Sequence, residues 1–306
     1  MTLEPARAET ECAAASAADS PRVPVRSCAD ALAAAGARVE HVAARSDTEI
    51  DAVLARLDGP SRADGLTWPD PDGKTRLVVV AATDGQLRAV VRRMVRRYTP
   101  PPSRRPDDLP GNRTVPDLPP IGVLPLDPAR GPAQRDLVAR LGLPRDPAAV
   151  AAAVLGDRVR RLDLLRNDGG SVTLDGVLLG GADGRRPVPW RGRVEVDDLV
   201  LSAGDDPVLA CAIGNAGGYA VLDGLPLLSD VDPTDGVVEV AVAVPVVARS
   251  FLRSRVRVEV RRARGRAVAV NPRDGDLPYL DDGVAGDLGR KRSWWTEPGA
   301  WAAFDR

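Results

Sequence analysis

Two short acidic stretches in this chain have the residue types for chemistry: Asp84-Gly85, and Asp274-Gly275-Asp276. A carboxylate can hold a divalent cation or take the proton of an attacking hydroxyl, and a neighbouring glycine lets backbone N–H groups approach an anion closely. Asp84-Gly85 lies in "VVVAATDGQLRAVV", Val78 to Val91, which passes from an apolar segment through a small turn into a helical pattern. Such a corner is either a phosphate-binding loop without its usual glycines, or an ordinary strand-to-helix turn in which Asp84 caps the helix. Asp274-Gly275-Asp276 is either a pair of working carboxylates or a β-turn, in which Asp-Gly is common. Other chemistries are closed off. His41 is the single histidine, and Cys12, Cys28 and Cys211 lack metal-ligand spacing, which excludes a zinc site or a histidine-based triad.

The elements that must position these residues follow from periodicity. Residues 1–25 are rich in Ala, Glu and Pro without period and read as a disordered leader. Ser27 can cap a short helix ending at Gly36, Val39 to Val42 reads as a strand, and Ser46 with Glu49 forms a capping box for a helix to Leu57. Leu77 to Ala81 is a buried-type strand. Leu87, Val90, Val91, Met94, Val95 and Tyr98 then form one face of a helix, with Arg88, Arg92, Arg93, Arg96 and Arg97 opposite. After a Pro-rich loop at 99–120, Ile121 to Pro125 is a further strand. Gln134 to Leu141 is a helix stopped by Gly142, and Asp146-Pro147 opens a helix ending near Gly156. Strand alternating with helix predicts a parallel α/β domain. From Val159 the period becomes two between Gly, Asp and Pro turns, which predicts antiparallel β. The tail carries Trp294, Trp295, Trp301 and Phe304, an apolar load that predicts docking on a domain.

The chain has 306 residues, enough for two cores, and 42 Lys+Arg against 43 Asp+Glu leave no global field to attract nucleic acid. The N-terminus has no signal-peptide core, and the most apolar run, Val237 to Ala248, contains Glu239 and Pro245 and is too short to span a bilayer. The expectation is a cytoplasmic, reduced protein. The arginine face, continued by Arg104 and Arg105, and a second basic strip at Arg253 to Arg266 are either solvated surfaces or peripheral contacts to an anionic membrane surface.

Five weak matches in order narrow the reading. "VVVAATDGQLRAVV" resembles the GGDGT-then-helix loop of the diacylglycerol kinase catalytic family, which includes bacterial lipid kinases and sphingosine kinases and has an NAD kinase-like fold. "IGVLPLDPARGPAQRDLVARLGLPRDPAAVAAAVLGDRVRRLDL" is similar to its strand, PxGTxND motif and LGLP-ending helix. "IGNAGGYAVLDGLPLLSDVDPTDGVVEVAV" resembles its second-domain glycine turn and DDGLLDV-type strand. Asp274-Gly275-Asp276 is placed like its DGE motif, and Glu297 to Trp301, "EPGAW", like its terminal PGA segment.

The resemblance implies a Rossmann-like α/β domain over 26–143, an antiparallel β-sandwich-like domain over 144–290, and a tail at 291–306 returning to the first. It implies ATP and Mg2+ in an inter-domain cleft and γ-phosphate transfer to a diacylglycerol-like lipid hydroxyl, with no nucleic acid partner; a homodimer is compatible with it. Asp274 would be the general base, assisted by Asp276. Thr83, Asp84, Gly85, Gln86 and Pro125 would contact nucleotide, and Asp84 and Asp235 would hold metal. The departures are specific. Ala82 and Thr83 stand where the family has glycines, Gln86 stands at its threonine, and the segment after Pro125-Leu126 is longer and lacks its Gly-Thr and Asn. A Cβ where φ > 0 is needed costs on the order of 1 kcal/mol, so nucleotide binding is expected to be weakened. A non-catalytic descendant binding lipid, nucleotide or a protein partner is the alternative.

Overall fold

In the computed structural model of the chain, residues 2–3, 22–126, 136–183, 186–222, 224–229, 231–250 and 253–306 are described. They form two compact units, one of residues 1–162 with 300–306 and one of 163–299. Among the described residues, no helix is long and apolar enough to cross a membrane.

The first unit contains β1 (Thr2–Leu3), α1 (Val23–Ala34), β2 (Ala43–Ala44), α2 (Asp47–Leu54), β3 (Leu77–Ala81), α3 (Asp84–Tyr98), β4 (Ile121–Pro125), α4 (Leu137–Arg140) and α5 (Pro147–Leu155). β3 and β4 pair in parallel from Leu77 opposite Ile121 to Ala81 opposite Pro125, and β1 lies parallel between β3 and β2. Crossover helices cover such a sheet, as the alternating pattern requires. α3 buries the six apolar residues of its periodic face. Gly122 in β4 lets α5 lie close, because a Cβ there would stand 2.4 Å from Val154 Cγ2.

Local signals fared unevenly. Ser46 caps α2 by accepting the Glu49 N–H, and Asp146 caps α5 by accepting those of Ala148 and Ala149. α1, by contrast, starts at Val23, inside the expected leader and before Ser27, because Pro24 in its first turn presets the helical φ. Residues 39–42 form no strand. β1 is only two residues long and pairs with Ala43–Ala44, so 39–42 meet no strand partner among the described residues. The four-residue α4 replaces the longer helix expected from Gln134, and residues 127–135 of the PxGTxND-like stretch lie outside the described residues. α5 packs Val150, Ala151, Ala153 and Val154 against Val25, Cys28, Leu32, Val80 and Leu124, in the core of the first unit.

β5 (Val159–Asn167) carries the chain from the first unit into the second. There follow β6 (Val172–Thr173), β7 (Gly176–Leu179), β8 (Gly181–Asp183), β9 (Arg186–Val188), β10 (Gly192–Val196), β11 (Leu199–Ala203), β12 (Ala210–Gly214), β13 (Val221–Leu222) and β14 (Leu225–Pro226). β15 (Val238–Ser250), β16 (Arg253–Gly265), β17 (Ala267–Pro272), β18 (Leu277–Asp281), β19 (Val284–Leu288) and β20 (Arg292–Phe304) complete the chain. One antiparallel sheet runs β16-β15-β12-β7-β18-β19, and a second layer runs β11-β10-β17-β20. Val177, Leu179, Ile213, Val240 and Val242 of one layer share a core with Val194, Val196, Val268, Val270 and Trp294 of the other, a β-sandwich. The last residues of β20 return to the first unit, where Ala303 pairs in parallel with Ile121 and Trp301 is buried.

Candidate functional site

The β3–α3 corner is built differently from a glycine loop. Thr83, with φ −138° and ψ 155°, is the N-cap of α3, and its Oγ1 accepts the Gln86 N–H at 3.3 Å. Gln86 reaches back, and its Oε1 accepts the Ala82 N–H at 2.7 Å. This is a variant of the capping box, in which Gln at the third helical position reaches the N–H of the residue before the cap instead of the cap's own. The expected strain at the lost glycines does not arise, since Asp197 and Asp282 are the positive-φ non-glycine residues among those described.

Asp84 is therefore not the cap. It is the first residue of α3, and its carboxylate accepts the Leu137 N–H, 3.1 Å from Oδ2 and 3.2 Å from Oδ1, and pairs with the Arg140 guanidinium at 3.3 Å. Burial raises its carboxyl above the ordinary range, opposed by the Leu137 N–H and Arg140. Asp136 caps α4 through the Ala139 N–H at 2.7 Å and pairs with Arg145 at 2.8 Å. Ala82, Thr83, Asp84, Pro125 and Asp136 thus line one recess of about 30 Å³, room for a water molecule. Gly85 and Gln86 stand at its side in the first turn of α3. That turn leaves the Asp84 and Gly85 N–H groups without an acceptor among the described residues, at the positive end of a 15-residue helix.

The metal reading fits less well. The oxygens of Asp84 are engaged as above. Asp235 accepts the Val237 N–H at 3.0 Å and pairs with the Arg264 guanidinium. Among the described residues no group of three or more His, Cys, Asp or Glu is arranged to hold a metal ion. The carboxylates expected to hold magnesium face arginines instead.

Asp274 and Asp276 lie in the second unit, on the exposed turn between β17 and β18, where Gly275 takes φ +100°. Oδ2 of Asp274 accepts the Arg191 N–H at 3.0 Å, and Oδ1 makes no bond among the described residues. Asp276 packs against Gly289, whose Cβ would come within 2.4 Å of its Oδ1. Both readings of this turn, catalytic pair and β-turn, share that geometry.

Sequence reasoning missed Asp163 in β5, which is 1% exposed. Its Oδ1 accepts the Gly299 N–H and its Oδ2 the Gly236 N–H, each at 2.6 Å, so one carboxylate ties the "EPGAW" segment to the "TDGVVEV" segment. The available signal was a lone acid inside an apolar strand, Leu162-Asp163-Leu164-Leu165, which needs partners to be buried. A second missed group is Asp282, whose carboxylate accepts the N–H groups of Leu174, Asp175 and Gly176, beside Asp281, which accepts the Thr173 hydroxyl at 2.7 Å.

Three arginines of the α3 face are engaged within the fold. Arg92 pairs with Asp47, Arg93 with Asp51 and Asp47, and Arg97 with Asp58. Arg104 and Arg105 donate to backbone carbonyls of Asp64, Leu109, Pro110 and Arg113. In the second strip, Arg261 pairs with Glu259, Arg262 donates to the Leu227 and Pro226 carbonyls, and Arg264 pairs with Asp235. At Arg92, Arg93 and Arg97 this face is held in ion pairs, because α2 and Asp58 supply acids opposite α3, while Arg96 is exposed.

No protein-family model and no curated protein matches the sequence. Solved structures do match its fold. A diacylglycerol kinase from Bacillus anthracis str. Sterne is 12% identical with a TM-score of 0.60, over 92% of this chain and 90% of that one. A putative diacylglycerol kinase from the same organism is 13% identical with a TM-score of 0.60, over 92% and 91%. An NAD kinase from Archaeoglobus fulgidus in complex with ATP is 13% identical with a TM-score of 0.51, over 93% and 90%. Across both units, the chain has the two-part α/β and β-sandwich fold of these diacylglycerol kinase-like and NAD kinase-like proteins.

Proposed function

We propose that this chain is an ATP-dependent lipid kinase of the diacylglycerol kinase type, transferring the γ-phosphate to a lipid hydroxyl. The observation that carries the reading is the kinase fold over 92% of the chain, with an acidic residue opening α3 after β3 and an acidic turn after β17. In this reading the unclaimed Asp84 and Gly85 N–H groups and the Arg140 guanidinium meet phosphate oxygens, since a helix N-terminus and a guanidinium both favour anions. Asp274, held through Oδ2 by Arg191, takes the hydroxyl proton on Oδ1. The lipid would be met at the cytoplasmic membrane surface by a peripheral protein.

A second reading, a non-catalytic relative, is favoured by the corner itself. Gln86 occupies the Ala82 N–H, and Arg140 occupies Asp84. Equilibrium titration with ATP, with and without Mg2+, followed by radiolabelled phosphate transfer to diacylglycerol in mixed micelles, separates the two. Saturable binding and transfer abolished by Asp274→Asn support the kinase. Binding without transfer supports the second reading, and no binding at millimolar ATP rules out the first.

A further inference from the structure

We infer that the first unit carries a separate binding site for a single long-chain fatty acid, in the cavity bounded by α1, residues 37–42, the end of α2 and β3. The site does not rest on the kinase reading and shares no residue with the β3–α3 corner. Its volume of about 790 Å³ lies in the range of small-molecule pockets, about 300–1,000 Å³.

The floor is aliphatic and buried, formed by Leu32, Val53, Leu57, Val80, Leu124 and Val154. Among the described residues no Phe, Tyr or Trp lines it. A nucleobase or other planar ligand would find no ring to stack on, whereas a saturated chain needs only apolar area. The polar side chains of the described lining are all exposed and belong to the rim, not to the floor. Thr75 supplies the one hydroxyl among the described lining residues, and burial pushes the Cys28 thiol up, which keeps it neutral and hydrophobic.

One wall is residues 37–42. Ala37, Val39 and Val42 are half-buried, while Arg38, Glu40 and His41 are exposed. The segment thus gives the wall a half-buried apolar part and an exposed polar edge.

The rim selects an anionic head. Arg56 is paired with Glu40 at 2.9 Å, and Arg76 is committed to the Val154 and Gly156 carbonyls and to Asp157. Arg38 and Lys74 make no ion pair among the described residues, so two cations stand at the mouth of an aliphatic cavity. A carboxylate on an alkyl chain satisfies both features.

The test is calorimetric titration of the full chain with laurate below its micellar concentration, and with 1-dodecanol as the uncharged chain of equal length. The expected result is saturable one-to-one binding of laurate. Dodecanol and the double variant Arg38→Glu/Lys74→Glu should each weaken binding at least tenfold, and Val39→Trp should abolish it by filling the cavity. Circular dichroism checks that the variants fold, and the exposed Arg38 and Lys74 changes keep the test open if Val39→Trp does not. Asp274→Asn should leave laurate affinity unchanged. Absence of saturable binding, equal affinity for dodecanol, or binding unaltered in both cavity variants would overturn the proposal.

Discussion

The Oε1 atom of Gln86 accepts the backbone N–H of Ala82 at 2.7 Å, and this bond turns a corner that resembles a phosphate loop into a self-satisfied cap. A donor that a glycine loop would present to an anion is here consumed by a side chain four residues on. Gln86→Ala should cost about 1 kcal/mol in urea unfolding, within the range for losing a cap. The same variant should bind ATP more tightly than the parent in thermal-shift titration, because it frees the Ala82 N–H. An unchanged or weaker shift would show that this donor is irrelevant to nucleotide.

Asp84 joins the start of α3 to the start of α4. Asp84→Ala leaves the Leu137 N–H without its acceptor and removes one partner of Arg140, which should cost about 1–3 kcal/mol. Asp84→Asn, which keeps an acceptor for Leu137, should lose less. Chemical denaturation of both variants decides the order.

Asp163 holds two glycine amides from segments 63 residues apart, at Gly236 and Gly299. Asp163→Ala orphans both and should destabilise the protein by about 2–4 kcal/mol, taking about 1–2 for each N–H left unsatisfied. Amide hydrogen exchange should show Gly236 and Gly299 losing protection together. Loss at one alone would break the proposed tie.

Burial, and then the neighbouring Asp281 charge, push the Asp282 carboxyl up to about 8, against the pull of its backbone donors. The folded protein therefore holds a proton that the unfolded chain releases near pH 4. Stability should fall as pH rises from about 4 to 8, by at most ~1.4 kcal/mol per pH unit from this group. Asp282→Asn, which mimics the protonated form, should flatten that part of the profile in urea melts taken across the range.

Gly122 sits under α5, where an added methyl would meet Val154 at 2.4 Å. Gly122→Ala should cost about 1–3 kcal/mol by overpacking, and Val154→Ala in the same chain should recover part of it. Additive losses in the double variant would show that the two positions do not meet.

Much of the fold was legible in the chain because its signals are local. The helix face from Leu87 to Tyr98, the strands at Leu77–Ala81 and Ile121–Pro125, and the caps at Ser46 and Asp146 each follow from residues within one or two turns. The change from mixed to period-two pattern marked the passage to the β-sandwich. Residues 39–42 show the limit of such signals. Val39 and Val42 suit a strand, but a strand also needs a neighbour with which to exchange hydrogen bonds, and among the described residues the sheet does not bring one.

The candidate site was legible only as residue types. Sequence placed Asp84 at the head of α3 and an acidic pair after β17, and it showed where glycines were replaced. It could not say that Thr83 rather than Asp84 caps the helix, because both are good capping residues and the choice depends on what else is within reach. Asp84 is drawn to Leu137, 53 residues away, and Asp163 to Gly299, 136 residues away. Such pairings depend on which strands the topology sets side by side. The sequence by itself determined the elements and the carboxylates available; only the tertiary structure decided which donors each carboxylate meets, because a buried charge takes the partners that packing brings to it.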